Sequence, residues 1–383
     1  MRPVHARRGL VPALMAVTVA FAGSCAGGDP AIEPPAPSPI RIAIINPQTG
    51  DFSSLGQWEH KGVKLAVDEA NATGGIHGRS IELSIFDDQG VAANAAALAE
   101  KVANAGYVAI FGSALSGNTL AMAPHLARLG IPAITSGQAP SLAALRNPYV
   151  FLNSATSTTF DETLAEYVVA ERGLTSIALI TNDGAYGRGE RAAFTTSLTS
   201  RNLTAVADRV VKVGQKDFTE ELTGIRQQSP QGLFIGAEEI QSGLIAQQAR
   251  ALGISATLLG AAPMGTDVFL NTAGVDAVEG AIFATPYPTN DENDATRAFA
   301  AAYQAAFGVA AEFHGAKAYD GARILIQALR DTNGATGLQL ADAIRSVRFR
   351  GLLGDFVFDA TGVGIHQTRV ATIENGSVVA LAI

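Results

Sequence analysis

Apolar and polar positions follow two different periods along the chain from Arg41 onward. Short runs of consecutive apolar residues, such as 41–45 and 107–111, are each followed by a longer segment whose apolar residues recur every three or four positions. Runs of the first kind are typical of buried strands, and segments of the second kind are typical of amphipathic helices. Their alternation predicts an α/β fold in which helices cover both faces of parallel sheets.

This alternation occurs in two series. In the first series, we predict strands at 41–45, 81–86, 107–111 and 131–135 and helices near 57–72, 92–105 and 118–129. In the second series, we predict strands at 176–181, 205–211, 232–236 and 256–260 and helices near 187–201, 217–228 and 240–252. The segments that fit neither series are an apolar run at 280–289, helical patterns at about 294–307 and 315–330, and a strand-like segment at 354–362.

The two series predict two lobes. We place the crossings between them near 153–157, 284–288 and 353–356, which gives a hinge that bends while resisting twist. The resulting boundaries are 40–155 plus 287–353 for the first lobe and 156–286 plus 354–383 for the second lobe.

The N-terminal segment has a different character. Residues 2–8 contain three Arg and no acid and are followed by an uncharged run at 9–23. This pattern predicts a signal peptide over residues 1–24, because the run is too short for a membrane span. Cys25, the only Cys, follows Ala-Gly-Ser in a sequence similar to a bacterial lipobox, so we expect it to be lipidated. The alternative is an ordinary secretory leader. Residues 25–39 then form a Pro-rich linker.

Charge and composition narrow the function. The chain has 383 residues, 27 Lys and Arg, 35 Asp and Glu, and 48% hydrophobic residues, a content that excludes intrinsic disorder. Loss of the leader removes three Arg and leaves 24 basic residues, a net charge of -11. This excess of acids argues against nucleic acid as a partner.

Candidate binding residues follow the predicted strands. In an open α/β sheet, ligands bind outside the carboxyl ends of the strands, where loops meet helix N-termini. Four strand ends carry the candidates Ser116, Ser136, Gly137, Gln138, Tyr186 and Glu238.

Each of these candidates also has a structural interpretation. Ser116 and Ser136 are residue types that often cap helices, and Glu238 with Glu239 suits the first turn of a helix through the macrodipole. Tyr186 lies between two Gly and has the least structural purpose of the set. The convergence of four strand ends from two lobes favours a ligand site.

Motifs of enzymes are sparse. The chain has no G-x-x-x-x-G-K-[ST], H-E-x-x-H or G-x-S-x-G motif, and its six His lack the spacing of metal ligands. We therefore expect no catalysis, no metal and no cofactor. A hydrolase that uses Ser116 as nucleophile remains an alternative, as does a structural or adhesive surface protein.

Several blocks together resemble the periplasmic Leu/Ile/Val-binding protein family, the type I solute receptors of ABC importers. They run in order over most of 40–383 and comprise 49–90, the Ser116 loop, 182–189, 216–219, 248–253, 277–283 and 354–362. The resemblance implies two Rossmann-like lobes that close on a ligand, the type I periplasmic binding protein fold.

The resemblance also implies roles for individual residues. Ser116 matches the hydroxyl that holds the ligand carboxylate, the turn 136–138 matches a loop that holds carboxylate and ammonium, and Tyr186 matches a Tyr of the cleft. The turn 136–138 departs from the family, since it lacks the family's Thr and is one residue shorter. Three further positions depart as well, since Leu55 replaces an aromatic residue, Glu238 replaces a second Tyr, and Ala262 stands where a Glu accepts the ligand ammonium. We expect Glu238 to substitute for that Glu, or the ligand to lack an ammonium group.

The sequence thus predicts an extracytoplasmic lipoprotein that binds a small polar organic ligand, similar to a branched-chain amino acid or a related carboxylate or amide. Its expected partners are this ligand and a membrane ABC permease, and its expected state is a monomer that contacts the membrane only through its lipid. A ligand-sensing receptor of the same fold is the main alternative, and permease and ATPase genes beside its own would favour transport.

Overall fold

The computed structural model describes residues 38–287, 294–352 and 354–381. The predicted signal peptide, Cys25 and the linker up to residue 37 lie outside the described residues. Both lobes belong to one compact unit. No helix in the described ranges combines the length and the apolar character that a membrane crossing requires.

The first lobe is built on a five-stranded parallel sheet in the order β2-β1-β3-β4-β5. Its strands are β1 (Ile40–Asn46), β2 (Ile81–Asp87), β3 (Ala109–Gly112), β4 (Ala133–Thr135) and β5 (Val150–Leu152). The helices between them are α1 (Ser53–Ala72), α2 (Ala92–Asn104), α3 (Ser116–Leu129) and α4 (Pro140–Ala144). The apolar runs of β1 and β3 are buried because helices cover both faces of the sheet.

The second lobe is built on a mixed sheet whose first five strands are parallel. These are β6 (Ile177–Asn182), β7 (Ala207–Val211), β8 (Gly232–Gly236), β9 (Thr257–Gly260) and β10 (Ile282–Thr285). Its helices are α5 (Ser157–Ala165), α6 (Ala185–Thr199), α7 (Thr219–Arg226), α8 (Glu239–Ala251), α9 (Asp267–Ala273) and α10 (Val275–Val278). A π-helical turn at Glu166–Glu171 extends α5, and a 3₁₀ turn at Ala262–Gly265 follows β9.

The rest of the chain is shared between the lobes. It forms α11 (Asp294–Phe307), α12 (Phe313–Asp331), α13 (Gly337–Ser346), β11 (Arg348–Gly351), β12 (Gly354–Phe358), β13 (Gly364–Ile365), β14 (Arg369–Glu374) and β15 (Ser377–Ala380). Helix α12 packs on the first sheet with the apolar stripe that the sequence predicts. Strand β14 pairs antiparallel with β10 and completes the second sheet in the order β15-β14-β10-β9-β8-β6-β7.

Helices α1 and α12 approach each other closely through two Gly. A Cβ atom on Gly62 would lie 2.1 Å from the carbonyl oxygen of Gly315, a distance that no side chain tolerates. The contact brings the N-terminal ends of both helices, which carry Trp58, Glu59 and His314, to the same end of the lobe.

The third crossing lies later in the chain than predicted. We expected it near 353–356, but β12 pairs with β11 and β13 in a small antiparallel sheet, and Phe358 packs on Phe151 of the first lobe at 5.3 Å. The next strand to join the second lobe is β14. The predicted boundary at 353/354 is therefore wrong, and the chain crosses between Ile365 and Arg369.

Candidate functional site

A cavity lies between the lobes, at the carboxyl ends of the parallel strands. Six of the eight predicted ligand residues line it, and they come from both lobes. They are Leu55, Ser116, Ser136, Gln138, Tyr186 and Glu238. These residues lie together because both sheets turn the carboxyl ends of their parallel strands towards the cleft.

Gly137 and Ala262 are not among the residues that line the cavity. The N–H of Gly137 donates to Thr135 Oγ1 at 3.0 Å, so this donor is already used. Ala262 is fully buried and packs into the core of the first lobe, while its neighbour Pro263 lines the cavity. The expected ligand contacts at Gly137 and Ala262 stay predictions.

Ser116 and Ser136 do not cap helices. Ser116 Oγ accepts hydrogen bonds from the N–H groups of Gln138 at 3.1 Å and Ala139 at 3.2 Å, so its acceptor capacity is used and its hydrogen remains to be donated. Ser136 Oγ is buried and has no hydrogen-bond partner among the described residues. The first lobe thus presents two hydroxyl donors to the cavity.

Lys317 lies beneath this hydroxyl pair. It is buried, and its Nζ donates to the carbonyl oxygen of Ser136 at 3.4 Å. Burial lowers the pKa of Lys317 to about 8, although the carboxylates of Glu59 and Glu312 act in the opposite direction. Lys317 therefore places a cation at the end of the cavity that carries the hydroxyls.

The second lobe presents an aromatic hydroxyl and an acid. Tyr186 lies in the first turn of α6, and burial together with Glu190 keeps its pKa well above the usual value, so the phenol stays protonated. Glu238 precedes α8, and its Oε2 accepts from Asn182 Nδ2 at 2.6 Å. Burial raises the pKa of Glu238, while the Asn182 bond acts against that shift.

Glu239 joins the two lobes directly. His314 Nε2, at the start of α12, donates to Glu239 Oε1 at 2.8 Å, and both side chains are more than 90% buried. The imidazole is also held by aromatic neighbours, with ring centroids 4.0 Å from Phe313 and 5.8 Å from Trp58. This pair is part of the cavity wall.

Glu239, Phe313 and His314 also line the cavity but were not predicted as site residues. A signal for the residues of α12 exists, because Glu312 precedes this helix and its first turns carry His314 and Lys317 among small and apolar residues. Glu312 accepts from the N–H groups of His314 and Gly315, and burial raises the pKa of Glu312 to about 7. Within the ranges that the structure describes, no three His, Cys, Asp or Glu are grouped as a metal site requires.

The amino-acid sequence of this chain is similar to those of several binding proteins. The model of the periplasmic binding protein family matches residues 39–377. The Leu/Ile/Val-binding protein BraC3 of Rhizobium johnstonii is 30% identical over 254 residues, which cover 66% of this chain and 69% of BraC3. The leucine-, isoleucine-, valine-, threonine- and alanine-binding protein of Pseudomonas aeruginosa is 24% identical over 327 residues, which cover 84% and 86% of the two chains.

Solved structures share the fold. LivJ of Streptococcus pneumoniae, determined in complex with isoleucine, superposes with a TM-score of 0.83 at 26% identity and covers 90% of this chain and 99% of LivJ. A solute-binding protein of R. palustris in complex with benzoate has the same TM-score at 21% identity, covering 90% and 96%. These homologues are binding proteins of transporters and not enzymes. The chain therefore belongs to the periplasmic binding protein family, as a type I member of its Leu/Ile/Val-binding group.

Proposed function

We propose that this protein is a lipid-anchored solute-binding protein that captures a small polar organic ligand between its lobes and delivers it to an ABC permease. The ligand is similar to a branched-chain amino acid, or is a related carboxylate or amide. Membership of the family places the protein outside the cytoplasm. One observation carries the proposal, namely that Ser116, Ser136, Tyr186 and Glu238 meet at one cavity from four strand ends of two lobes.

The hydroxyl end of the cavity suits a carboxylate. Ser116 keeps its hydrogen free because its oxygen already accepts two N–H groups, and Ser136 Oγ has no partner in the part of the chain that the structure describes. A ligand carboxylate accepts both hydroxyl hydrogens and lies above the buried cation of Lys317. This arrangement disfavours a cationic group at the same end.

The acidic end suits an ammonium group. An ammonium shut in a closed cleft loses hydration worth several kcal/mol and needs an anionic partner. Ala262 cannot provide one, whereas Glu238 lies in the cavity wall with its carboxylate oriented by Asn182. Glu238 is thus the substitute acceptor, and Tyr186 donates or accepts beside it.

The two lobes close on the ligand when it binds at this site. A ligand that contacts Ser116 on one lobe and Glu238 on the other stabilises the closed form, because only that form completes both sets of contacts. The names of the relatives, a Leu/Ile/Val-binding protein and an isoleucine complex, support an amino acid as the first ligand to test.

Calorimetric titration of two variants tests the assignment of the two ends. We expect Glu238→Gln to weaken isoleucine binding at least ~10-fold, because a charged acceptor is lost, and to leave 3-methylpentanoate, which lacks the ammonium, unaffected. We expect Ser116→Ala to weaken both ligands. Glu220→Gln, an exposed acid of α7, is the control. Unchanged isoleucine affinity in Glu238→Gln would remove Glu238 from the role.

Mass spectrometry of molecules that copurify with the protein, followed by a thermal-shift screen of small metabolites, identifies the ligand class independently. Uptake of that ligand by cells with and without the protein tests delivery to a permease. Equal uptake in both strains contradicts a transport role.

The lipid anchor rests on the sequence around Cys25, which lies outside the described residues. We expect the mature protein to begin at Cys25, to carry lipid there and to sediment with membranes, and we expect Cys25→Ala to abolish lipidation. Intact mass and membrane fractionation measure both. An unmodified N-terminus at another residue contradicts the anchor.

A further inference from the structure

A second cavity adjoins the candidate ligand cavity and is partly open to solvent. It is also lined from both lobes, by Asp51 and Phe52 on the first and by Ile240 and Leu244 on the second. The two cavities share Glu238 and Glu239 in their walls. The cleft is therefore longer than the part that holds the hydroxyls.

An apolar wall runs from one cavity into the other. Leu55, Ala114 and Leu115 form a small hydrophobic cluster that lines the first cavity, and Phe52 packs against this cluster while lining the second cavity. Ile240 and Leu244 face it from the other lobe, where both are only partly buried. These apolar side chains of the two lobes face each other across a gap and remain partly exposed to water. They stabilise the closed form only when an apolar group of a ligand fills the gap.

The polar side chains at the junction already have partners. Glu239 is bonded to His314, and Glu238 accepts from Asn182. Gln241 donates to the carbonyl oxygen of Lys212 at 2.7 Å. One polar atom of the junction, Glu239 Oε2, is buried without a partner among the described residues. The other groups that still lack contacts in the second cavity are the apolar ones.

We infer that the second cavity is a subsite for an apolar tail, so that the ligand is an amino or carboxylic acid with an alkyl or aromatic extension longer than the side chain of isoleucine. This inference rests on the proposed function, which places the polar head at Ser116 and Glu238. The tail follows the wall from Leu55 to Phe52 and ends between Ile240 and Leu244. Asp51 and Lys216, which are exposed, mark the outer end of the cavity.

A chain-length series tests the subsite on the unaltered protein. Calorimetric titration with straight-chain 2-amino acids, from norvaline to 2-aminodecanoate, is run beside the matching straight-chain carboxylates. We expect affinity to rise about threefold to fourfold for each added methylene, because each is removed from water, and to continue rising past norleucine.

Filling the second cavity tests its location. We expect Leu244→Trp to leave the affinity for norvaline unchanged. We expect it to weaken the affinity for 2-aminodecanoate at least ~10-fold, because the indole ring occupies the space of several methylene groups of the ligand tail. Ile240→Trp is a second variant with the same expectation. The matched control is Val210→Trp, which adds the same bulk at a half-exposed residue of β7 outside both cavities.

The outcomes separate the two proposals. If the unaltered protein binds no member of either series and no copurified acid, the proposed function fails. If short ligands bind but affinity stays level beyond norleucine, or if Leu244→Trp and Ile240→Trp weaken short and long ligands equally, the subsite is overturned and the proposed function stands. Should Leu244→Trp fail to fold, Ile240→Trp and the chain-length series decide.

Discussion

Asp161 and Glu190 place two carboxyl groups in the interior of the second lobe, close to Tyr186. Both are buried, and neither takes part in an ion pair among the described residues. Burial raises the pKa of Glu190 to about 7, against the opposing hydrogen bonds of Ser157 and Tyr186. Burial and the adjacent Glu190 raise the pKa of Asp161 as well. The pair therefore retains at least one proton at neutral pH.

This pair makes stability depend on pH. In the unfolded chain, Glu190 ionises near 4.5, whereas in the folded protein it holds its proton to about 7. Stability is thus fully present below about pH 4.5 and falls as the pH rises through 7. We expect Glu190→Gln to remove about 2–3 kcal/mol of this decrease, measured by urea unfolding at pH 5 and pH 8. Glu220→Gln is the surface control. Parallel pH profiles for Glu190→Gln and the parent contradict the assignment.

Part of the site was predictable residue by residue, and part was not. Ser116, Tyr186 and Glu238 each follow a parallel strand, so the direction of the strand alone brings them to the cleft. The bond between Glu239 and His314 spans 75 residues and joins the starts of two helices on different lobes. No local pattern encodes which helix start lies opposite which, so this contact required the structure.

At the scale of elements, the approach of α1 to α12 positions one side of the cleft. Leu55 on α1 and His314 on α12 both line the cavity, and Gly62 and Gly315 allow the two helix backbones to touch. A larger residue at the contact separates the helices and moves both cavity residues.

Matched Gly→Ala substitutions test this contact. We expect Gly62→Ala to destabilise the protein by about 1–3 kcal/mol, because its Cβ would overlap the Gly315 carbonyl. Gly224→Ala in α7 meets only the end of the Arg209 side chain at 3.2 Å, so we expect it to stabilise by up to about 1 kcal/mol through helix propensity. Urea unfolding measures both. A shift of the same sign in the two variants contradicts the contact.

Most elements were predictable because their hydrophobic periods are regular. The predicted run 232–236 and the helix 294–307 match β8 and α11 in full. The third crossing was misplaced because Gly354–Phe358 has the pattern of any half-buried strand, and only the packing of Phe358 on Phe151 assigns it to the first lobe. The hydrophobic period of a segment indicates which of its side chains are buried. It does not indicate on which lobe the segment packs.

At the scale of the whole molecule, the lobes are joined by chain crossings and by buried polar contacts, among them the bond from Ser157 Oγ to the carbonyl oxygen of Gln138 at 3.2 Å and the bond between Glu239 and His314. The crossings at 153–156 and 366–368 lie within the described residues, and the bond between Glu239 and His314 lies across the cleft. A buried hydrogen bond between the lobes favours the closed arrangement even before a ligand binds.

Loss of this contact is expected to open the cleft. His314→Phe keeps a ring of similar shape and removes the donor, so we expect a larger radius of gyration by small-angle scattering without ligand and about 10-fold weaker ligand binding. His125→Phe is the control, since His125 lies 3.7 Å from Glu100 on the surface of one lobe. An unchanged radius and affinity in His314→Phe contradict the contact's role in closure.

The amide of Asn182 has one further consequence for capture. Its two hydrogens are shared between Glu238 and Gln241, and its oxygen accepts the N–H of Gly184, so every polar atom of this side chain is engaged. The side chain of Glu238 is consequently held in one orientation once the protein has folded, before any ligand binds. We therefore expect the association rate of the ligand to be limited by the closure of the two lobes. Rearrangement of side chains in the second lobe is expected to add little delay.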